Sequence, residues 1–233
     1  MTEFLLIRHG ETEWNKELRF QGQIDVPLNA IGHEQAQRLR QRIEQHLPDW
    51  MRAQRVPVRV VASDLTRARQ TAQPLAQALG QDVETLADLR EQSFGIFEGL
   101  QVSEIKAQYP QHWQRWLAFD ADHALPEAES TRHFYQRVWH ALDTLSKRFQ
   151  GEHVVIVTHG GVLDMVWRHA KGQSLQGPRV CDIPNAGVNQ LQAGPQGMAI
   201  VQWADTSHLH DMPPQPVYRQ TNLQKSRANN GKG

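Results

Sequence analysis

The segment LLIRHGETEWN, residues 5 to 15, runs three aliphatic residues straight into Arg8, His9 and Gly10. Arginine and histidine suit the gripping and attack of a phosphoryl group, one as a permanently charged planar fork and the other as a nucleophile. The pattern returns in EHVVIVTHGG, 152 to 161, where an apolar run ends in Thr158, His159 and two glycines. A third apolar run, VRVVAS, leads into DLTRARQTAQPLAQAL and places Arg67 in the first turn of a predicted helix. If the three runs are strands of one sheet, two arginines and two histidines meet at its carboxyl edge. An anion is needed to neutralise such a cluster, and a tetrahedral phosphoryl group matches it in charge and hydrogen-bond geometry. Helix amino termini add free amides to the same rim.

Phosphoryl transfer from a monoester requires an in-line nucleophile, stabilisation of the equatorial oxygens and a proton for the leaving alkoxide. Neutral His9 supplies the first and forms a phosphoenzyme that water opens, provided a backbone carbonyl takes the proton of its other ring nitrogen. Arg8, Arg67 and His159 supply the second. For the third, Glu91 in the loop LREQSFGIFEG is the candidate, with phosphate charge favouring its protonated form and Glu98 as the competing carboxylate in the same loop. Thr12 and Glu11 are expected to shape the turn, Thr12 by capping. One histidine ending a strand is more often structural than catalytic; two, each with a glycine directly behind it, carry the functional reading.

The elements that must position these groups alternate. Residues 3 to 8 read as a buried strand, 32 to 47 as an amphipathic helix stopped by Pro48, 58 to 63 as a strand, and 64 to 79 as a helix capped by Ser63 or Asp64 and closed at Gly80, with a kink or break at Pro74. Residues 82 to 89 read as a third strand. Short helical pieces follow in 100 to 128, with Pro110 and Pro126 in loops, then a long helix over 130 to 149, the 152 to 158 strand and its helix, and a hairpin of 187 to 192 with 198 to 204. The fold class is α/β, a three-layer sandwich with a largely parallel central sheet and helices on both faces. Residues 1 to 205 form one domain, 100 to 128 a variable helical lid over it, and 206 to 233 a loose polar tail.

Composition narrows the partners. Twenty-five basic residues balance twenty-five acidic ones, so no net field draws nucleic acid or an anionic membrane. A lone cysteine, Cys181, forms no internal disulfide, and no apolar stretch reaches the roughly 18 residues of a membrane span, so a cytoplasmic protein is expected. The twelve histidines scatter without metal-ligand spacing, so neither a metal nor another cofactor is called for. Oligomeric state is not legible. Most of Phe94, Phe97, Tyr109, Trp113, Trp116 and Phe119 read as core, with one or two of them lining a pocket.

In their order, RHGETEWN (8 to 15), QGQIDVPLNAIG (21 to 32), SDLTRARQTA (63 to 72), LREQSFGIFEG (89 to 99) and THGG (158 to 161) resemble the histidine phosphatase superfamily, also called the phosphoglycerate mutase-like family. The pattern is most similar to its small broad-specificity phosphatases. The resemblance implies that His9 is the phosphorylated nucleophile, Glu91 the acid, and Arg8, Arg67 and His159 the rest of the phosphate pocket. It further implies that Asn15, Gln21 and a backbone amide near Gly160 donate to phosphoryl oxygens. In the family's cofactor-dependent mutases a long insertion with adjacent arginines lies between the acid and the second histidine; no Arg-Arg pair stands there in this chain. Lys106, Arg115 and Arg132 are the remaining candidates for gripping a second anion. The expected function is therefore a metal-independent, histidine acid-type phosphomonoesterase acting on a small phosphorylated metabolite. A phosphoglycerate mutase-type transferase, narrow phosphatases for α-ribazole phosphate or fructose bisphosphate, and a catalytically silent phospho-ligand binding protein are the alternatives.

Overall fold

The computed structural model describes residues 1–45, 56–194, 197–216 and 220 of the 233. Six strands form one sheet: β1 (Thr2–Arg8), β2 (Val58–Ser63), β3 (Val83–Leu86), β4 (His153–Thr158), β5 (Val188–Gly194) and β6 (Gly197–Asp205), in the order β3-β2-β4-β1-β5-β6. The first four are mutually parallel, and β5 and β6 add an antiparallel edge. β1 and β4 read as unbroken apolar runs because both faces of the central sheet are covered. Alternate residues serve opposite layers. Phe4 and Leu6 of β1 with Val154 and Ile156 of β4 pack under α6 (Thr131–Arg148) and α7 (Gly160–Ala170). Leu5 and Ile7 with Val155 and Val157 pack under α2 (Ala30–Gln45) and α3 (Thr66–Leu79).

A third, separate cluster belongs to the lid. Here Phe20, Phe97, Ile105, Trp113, Leu117 and Leu125 bury one another between α4 (Val102–Gln108) and α5 (Pro110–Trp116), beyond the short α1 (Glu13–Lys16). Trp113 and Trp116 stack at 5.3 Å between centroids.

Several local expectations are corrected. The third strand is shorter than 82 to 89, because Ala87–Leu89 already turn as a 3₁₀ helix. Pro110 opens α5 rather than lying in a loop, where its missing N–H is an orphan in any case. Neither Ser63 nor Asp64 caps α3: both carboxylate oxygens of Asp64 accept from Arg90, at 2.7 and 2.6 Å, and Asp25 reaches in from another segment to accept from the Thr66 amide and hydroxyl, both at 2.7 Å. α3 continues through Pro74 and ends on Gly80, whose φ of 64° suits glycine. α2 begins two residues earlier than its periodicity suggests, where Asn29 accepts from the Gly32 amide; residues 46 and 47 lie outside the described residues. Past Asp205 the described chain is not loose, since Leu209 is buried in the core beneath α2 and α3.

Leu39, fully buried on α2, spans the gap between that helix and the sheet. Leu39→Ala is expected to cost about 2–5 kcal/mol of stability, read from the denaturant midpoint at constant slope. An unchanged midpoint would contradict this packing.

Candidate active site

Register decides which side chains meet. β1 and β4 run parallel with Ile7 beside Val157 and Arg8 beside Thr158, so the next residue of each strand, His9 and His159, leaves the sheet at the same level. Their ring centroids are 5.2 Å apart at an interplanar angle of 58°. On the other side of β4, β2 delivers the chain into α3 and brings Arg67 to the same volume, 1% exposed. The β3 end leads through its 3₁₀ turn to Glu91. Gly10 is set by a close approach, since a Cβ there would stand 2.6 Å from the Gly32 carbonyl oxygen.

His9 Nδ1 lies 2.7 Å from the carbonyl oxygen of Gly10. A carbonyl only accepts, so Nδ1 carries the proton and Nε2 keeps its lone pair, as the sequence argument requires. Burial, then the positive fields of Arg67 and Arg8, holds the His9 imidazole well below its ordinary value, outweighing the Gly10 hydrogen bond. Burial, with Arg67, His9 and Arg8 behind it, does the same to His159. Both rings are neutral at pH 7.

The two guanidinium groups are each half engaged. Arg8 donates to the Ile183 carbonyl at 2.7 Å, and Arg67 to those of Ile24 and Gly22, both at 2.8 Å. Their Nε atoms and both ring nitrogens of His159 are buried with no hydrogen-bond partner among the described residues. Desolvation lowers both arginines to about 10, with Arg179 next in effect on Arg8, while Glu91 acts against it for each.

Glu91 sits at the amino end of α7, accepting from the Gly161 amide at 3.0 Å and from the Gln92 amide at 2.8 Å. A Cβ on Gly161 would stand 2.0 Å from its Oε1, so the second glycine of THGG is what admits the carboxylate. Arg137, paired with Glu129 at 2.7 Å, braces this loop by donating to the carbonyls of Asp88, Arg90 and Glu91. Glu98 is committed elsewhere, accepting from the amides of Gln23 and Phe94. Asn15 and Thr12 form the capping box of α1, with Asn15 Oδ1 accepting from the Thr12 amide and hydroxyl. Gln21 Oε1 accepts from the same hydroxyl at 3.0 Å. The amide NH₂ ends of Asn15 and Gln21 are thereby left for the cavity that both residues line.

That cavity, about 760 Å³, also takes in Arg8, His9, Arg67, Glu91 and Gly160. His159 is wholly buried beneath them. The Glu91 loop contributes Phe94 and the lid Trp116 and Phe119, whereas Phe97 and Trp113 are core. Of the three candidate cations for a second anion, only Arg115 lines the cavity; Lys106 lies over the Trp113 ring and Arg132 pairs with Asp122. Among the described residues no group of three or more His, Cys, Asp or Glu side chains is placed to hold a metal ion. Nor is any described helix long and apolar enough to cross a membrane.

Sequence reasoning missed the wall formed by the segment after α7. Arg179 lines the cavity next to Arg8, its Nη1 lying 3.3 Å from where a Cβ on Gly160 would stand. Arg168, buried, ties Asp164 of α7 to the carbonyls of Ser174, Gln176 and Gly177, and Gln176 in turn accepts from the lid amide of Ala121. Cys181 donates to Asp164, and burial with that carboxylate pushes its thiol up to about 12, far from a reactive thiolate. Asp164 and Arg168, four apart on α7, carried a helical spacing that could have been noticed; Arg179 sits in an unpatterned loop.

The chain matches the model of the histidine phosphatase superfamily, branch 1, over residues 4–206, and belongs to that family. It is 34% identical over 212 residues to phosphoglycerate mutase-like protein 4 of Arabidopsis thaliana, covering 90% of this chain and 87% of that one. A metal-independent phosphoserine phosphatase of the same plant is 34% identical over 211 residues, with 90% and 84% covered. A probable phosphoglycerate mutase of Salmonella arizonae is 31% identical over 216 residues, covering 90% and 95%. Among solved structures, Bacillus stearothermophilus YhfR superposes with a TM-score of 0.77 at 29% identity, covering 90% of this chain and all of that one. A mycobacterial glucosyl-3-phosphoglycerate phosphatase complexed with VO3 gives 0.71 at 25% identity, covering 88% and 99%. Family and relatives together support a phosphatase.

The neutral imidazoles set a sign for stability. Unfolding releases two depressed groups to take up protons below about pH 6.5, so stability falls as pH drops from there toward their native values. Each contributes up to about 1.4 kcal/mol per pH unit. Denaturant unfolding from pH 8 to 5 should show His159→Asn with the shallower decline; parallel curves would exclude a depressed His159.

Proposed function

We propose that the chain is a metal-independent phosphomonoesterase that turns over a small phosphorylated metabolite through a phosphohistidine on His9. The observation that carries this reading is the set of unpartnered buried polar atoms, Arg8 Nε, Arg67 Nε and both nitrogens of His159, beside a histidine whose tautomer leaves Nε2 nucleophilic. Buried polar atoms of this kind are unfavourable without a partner, and an anion would complete the two arginine Nε–H groups and the one N–H of neutral His159.

In this mechanism His9 Nε2 attacks phosphorus as the ester P–O bond breaks, and Arg8, Arg67, His159 and the amides at Asn15, Gln21 and Gly160 hold the equatorial oxygens. Protonated Glu91 gives its proton to the leaving alkoxide. Water then attacks phosphorus, Glu91 accepts its proton, and the P–N bond breaks to free inorganic phosphate and His9. Glu91 is in reach of both steps because its loop is braced by Arg137 and its carboxyl group is held at the α7 amino end, beside Gly160.

Relatives named for phosphoserine and for glucosyl-3-phosphoglycerate suggest a substrate with a carboxylate near the ester, and Arg179 lining the cavity beside Arg8 is consistent with one. The mutase reading draws on relatives named phosphoglycerate mutase. It is disfavoured because Lys106 and Arg132 are engaged away from the cavity, leaving the lid with Arg115 alone among its three candidates.

Hydrolysis of p-nitrophenyl phosphate and phosphoserine in excess chelator should be lost in His9→Ala. Conversion of 3-phosphoglycerate to 2-phosphoglycerate outpacing hydrolysis would favour the mutase, and tight phosphate binding without turnover at any pH would favour a silent binder. Glu91→Gln should slow alkyl esters far more than phenolic ones, since a phenolate leaves with little protonic help; equal losses would remove Glu91 from the acid role. Gly161→Ala, which drives a methyl group against Glu91, should reproduce that alkyl-selective loss while leaving the affinity for inorganic phosphate within about threefold, because the arginines stay in place.

A further inference from the structure

Asn185, between α7 and β5 and 2% exposed, touches the nucleophile's backbone at several points. Its side-chain amide donates to the His9 carbonyl at 3.0 Å, to the Gly10 carbonyl at 3.4 Å and to Asn15 Oδ1 at 3.3 Å. The Gly10 carbonyl accepts the hydrogen bond from His9 Nδ1–H, so its oxygen is held from two sides, by the imidazole it orients and by Asn185. The contact to Asn15 Oδ1 turns the NH₂ end of that residue toward the cavity. The next residue, Ala186, holds a φ of 54°, rarely adopted by residues with a side chain, and its amide donates to the Arg8 and His9 carbonyls at 3.0 and 3.3 Å.

Asn185 is itself clamped by the carboxyl-terminal segment. Gln215 Oε1 accepts from the Asn185 amide at 2.6 Å, and Gln215 Nε2 donates to the Asn185 carbonyl at 2.9 Å, a reciprocal pair across thirty positions of sequence. Gln215 also lines the cavity.

We propose that Asn185 is a positioning residue that fixes the tautomer and aim of His9 and the orientation of Asn15, and that Gln215 holds Asn185 in register. The carboxyl-terminal segment is thereby part of the reaction centre without touching the reacting atoms. This rests on the phosphohistidine reading above, but its main readout does not.

In ¹⁵N-histidine-labelled wild-type protein, two-bond ¹H–¹⁵N correlation spectra should report His9 protonated on Nδ1 alone. Asn185→Ala should bring in the Nε2–H form and lower kcat for p-nitrophenyl phosphate about 10- to 100-fold, with the affinity for inorganic phosphate falling by less than kcat, since Arg8 and Arg67 stay in place and only the Asn15 contact is disturbed. Gln215→Ala, at a partly exposed position, should move the same quantities in the same direction by less, and it keeps the test open if Asn185→Ala does not fold. An unaltered His9 tautomer with kcat within about twofold of wild type in Gln215→Ala, and in Asn185→Ala where it folds, would overturn the positioning role. Retained activity in His9→Ala would instead overturn the reaction itself, so the two failures are distinguishable.

Discussion

The constraint on which the rest depends is electrostatic: two guanidinium groups and two imidazoles are held together away from bulk water. The sheet enforces the arrangement through register, because β2, β4 and β1 are adjacent and parallel and their carboxyl ends release Arg67, His159, Arg8 and His9 at one level. Several kinds of group offset the repulsion. Main-chain carbonyls of Gly22, Ile24 and Ile183 take part of each guanidinium, Glu91 supplies a nearby opposite charge, and the imidazoles shed their protons. The last of these leaves His9 Nε2 with its lone pair, so burial and the arginine field that together make the cluster difficult to assemble also keep His9 neutral.

Around this centre the supporting contacts run in one direction, from reactive groups outward to ordinary structure. Arg137 and Glu129 on and before α6 brace the Glu91 loop, while Arg168 and Asp164 secure the segment after α7, from which Arg179 and Asn185 project. Glu91 and His9 are thus held by different sets of contacts, Glu91 by Arg137 of α6 and the Gly161 amide of α7, and His9 by the segment leading to β5.

What the sequence made legible follows from where its chemistry lies. Arg8, His9 and His159 stand at the ends of apolar runs and Arg67 in the first turn of the helix after one, so strand prediction and site prediction were the same inference, and the layers followed from the alternation of strands with helices; only the structure assigns Phe4 and Leu6 to one face and Leu5 and Ile7 to the other. Glu91 could be singled out because its loop follows a strand, though only the structure separates it from Glu98. Arg179, Asn185 and Gln215 were invisible because nothing periodic surrounds them and their partners lie far off in sequence. The cap of α3 failed for the same reason: Asp64 is a good local cap, and distant Arg90 outcompetes the helix for it.

The lid's private cluster, in which Phe97, Ile105 and Trp113 bury one another apart from both faces of the sheet, bears on how such chains diversify. Because those side chains share no layer with β1 or β4, insertions or replacements there alter the shape presented to the leaving alcohol without straining the strands that carry the imidazoles. Selection for a new alcohol can then act on one region while the phosphoryl chemistry is inherited intact, so neighbouring members of one lineage can diverge in diet while keeping a common reaction.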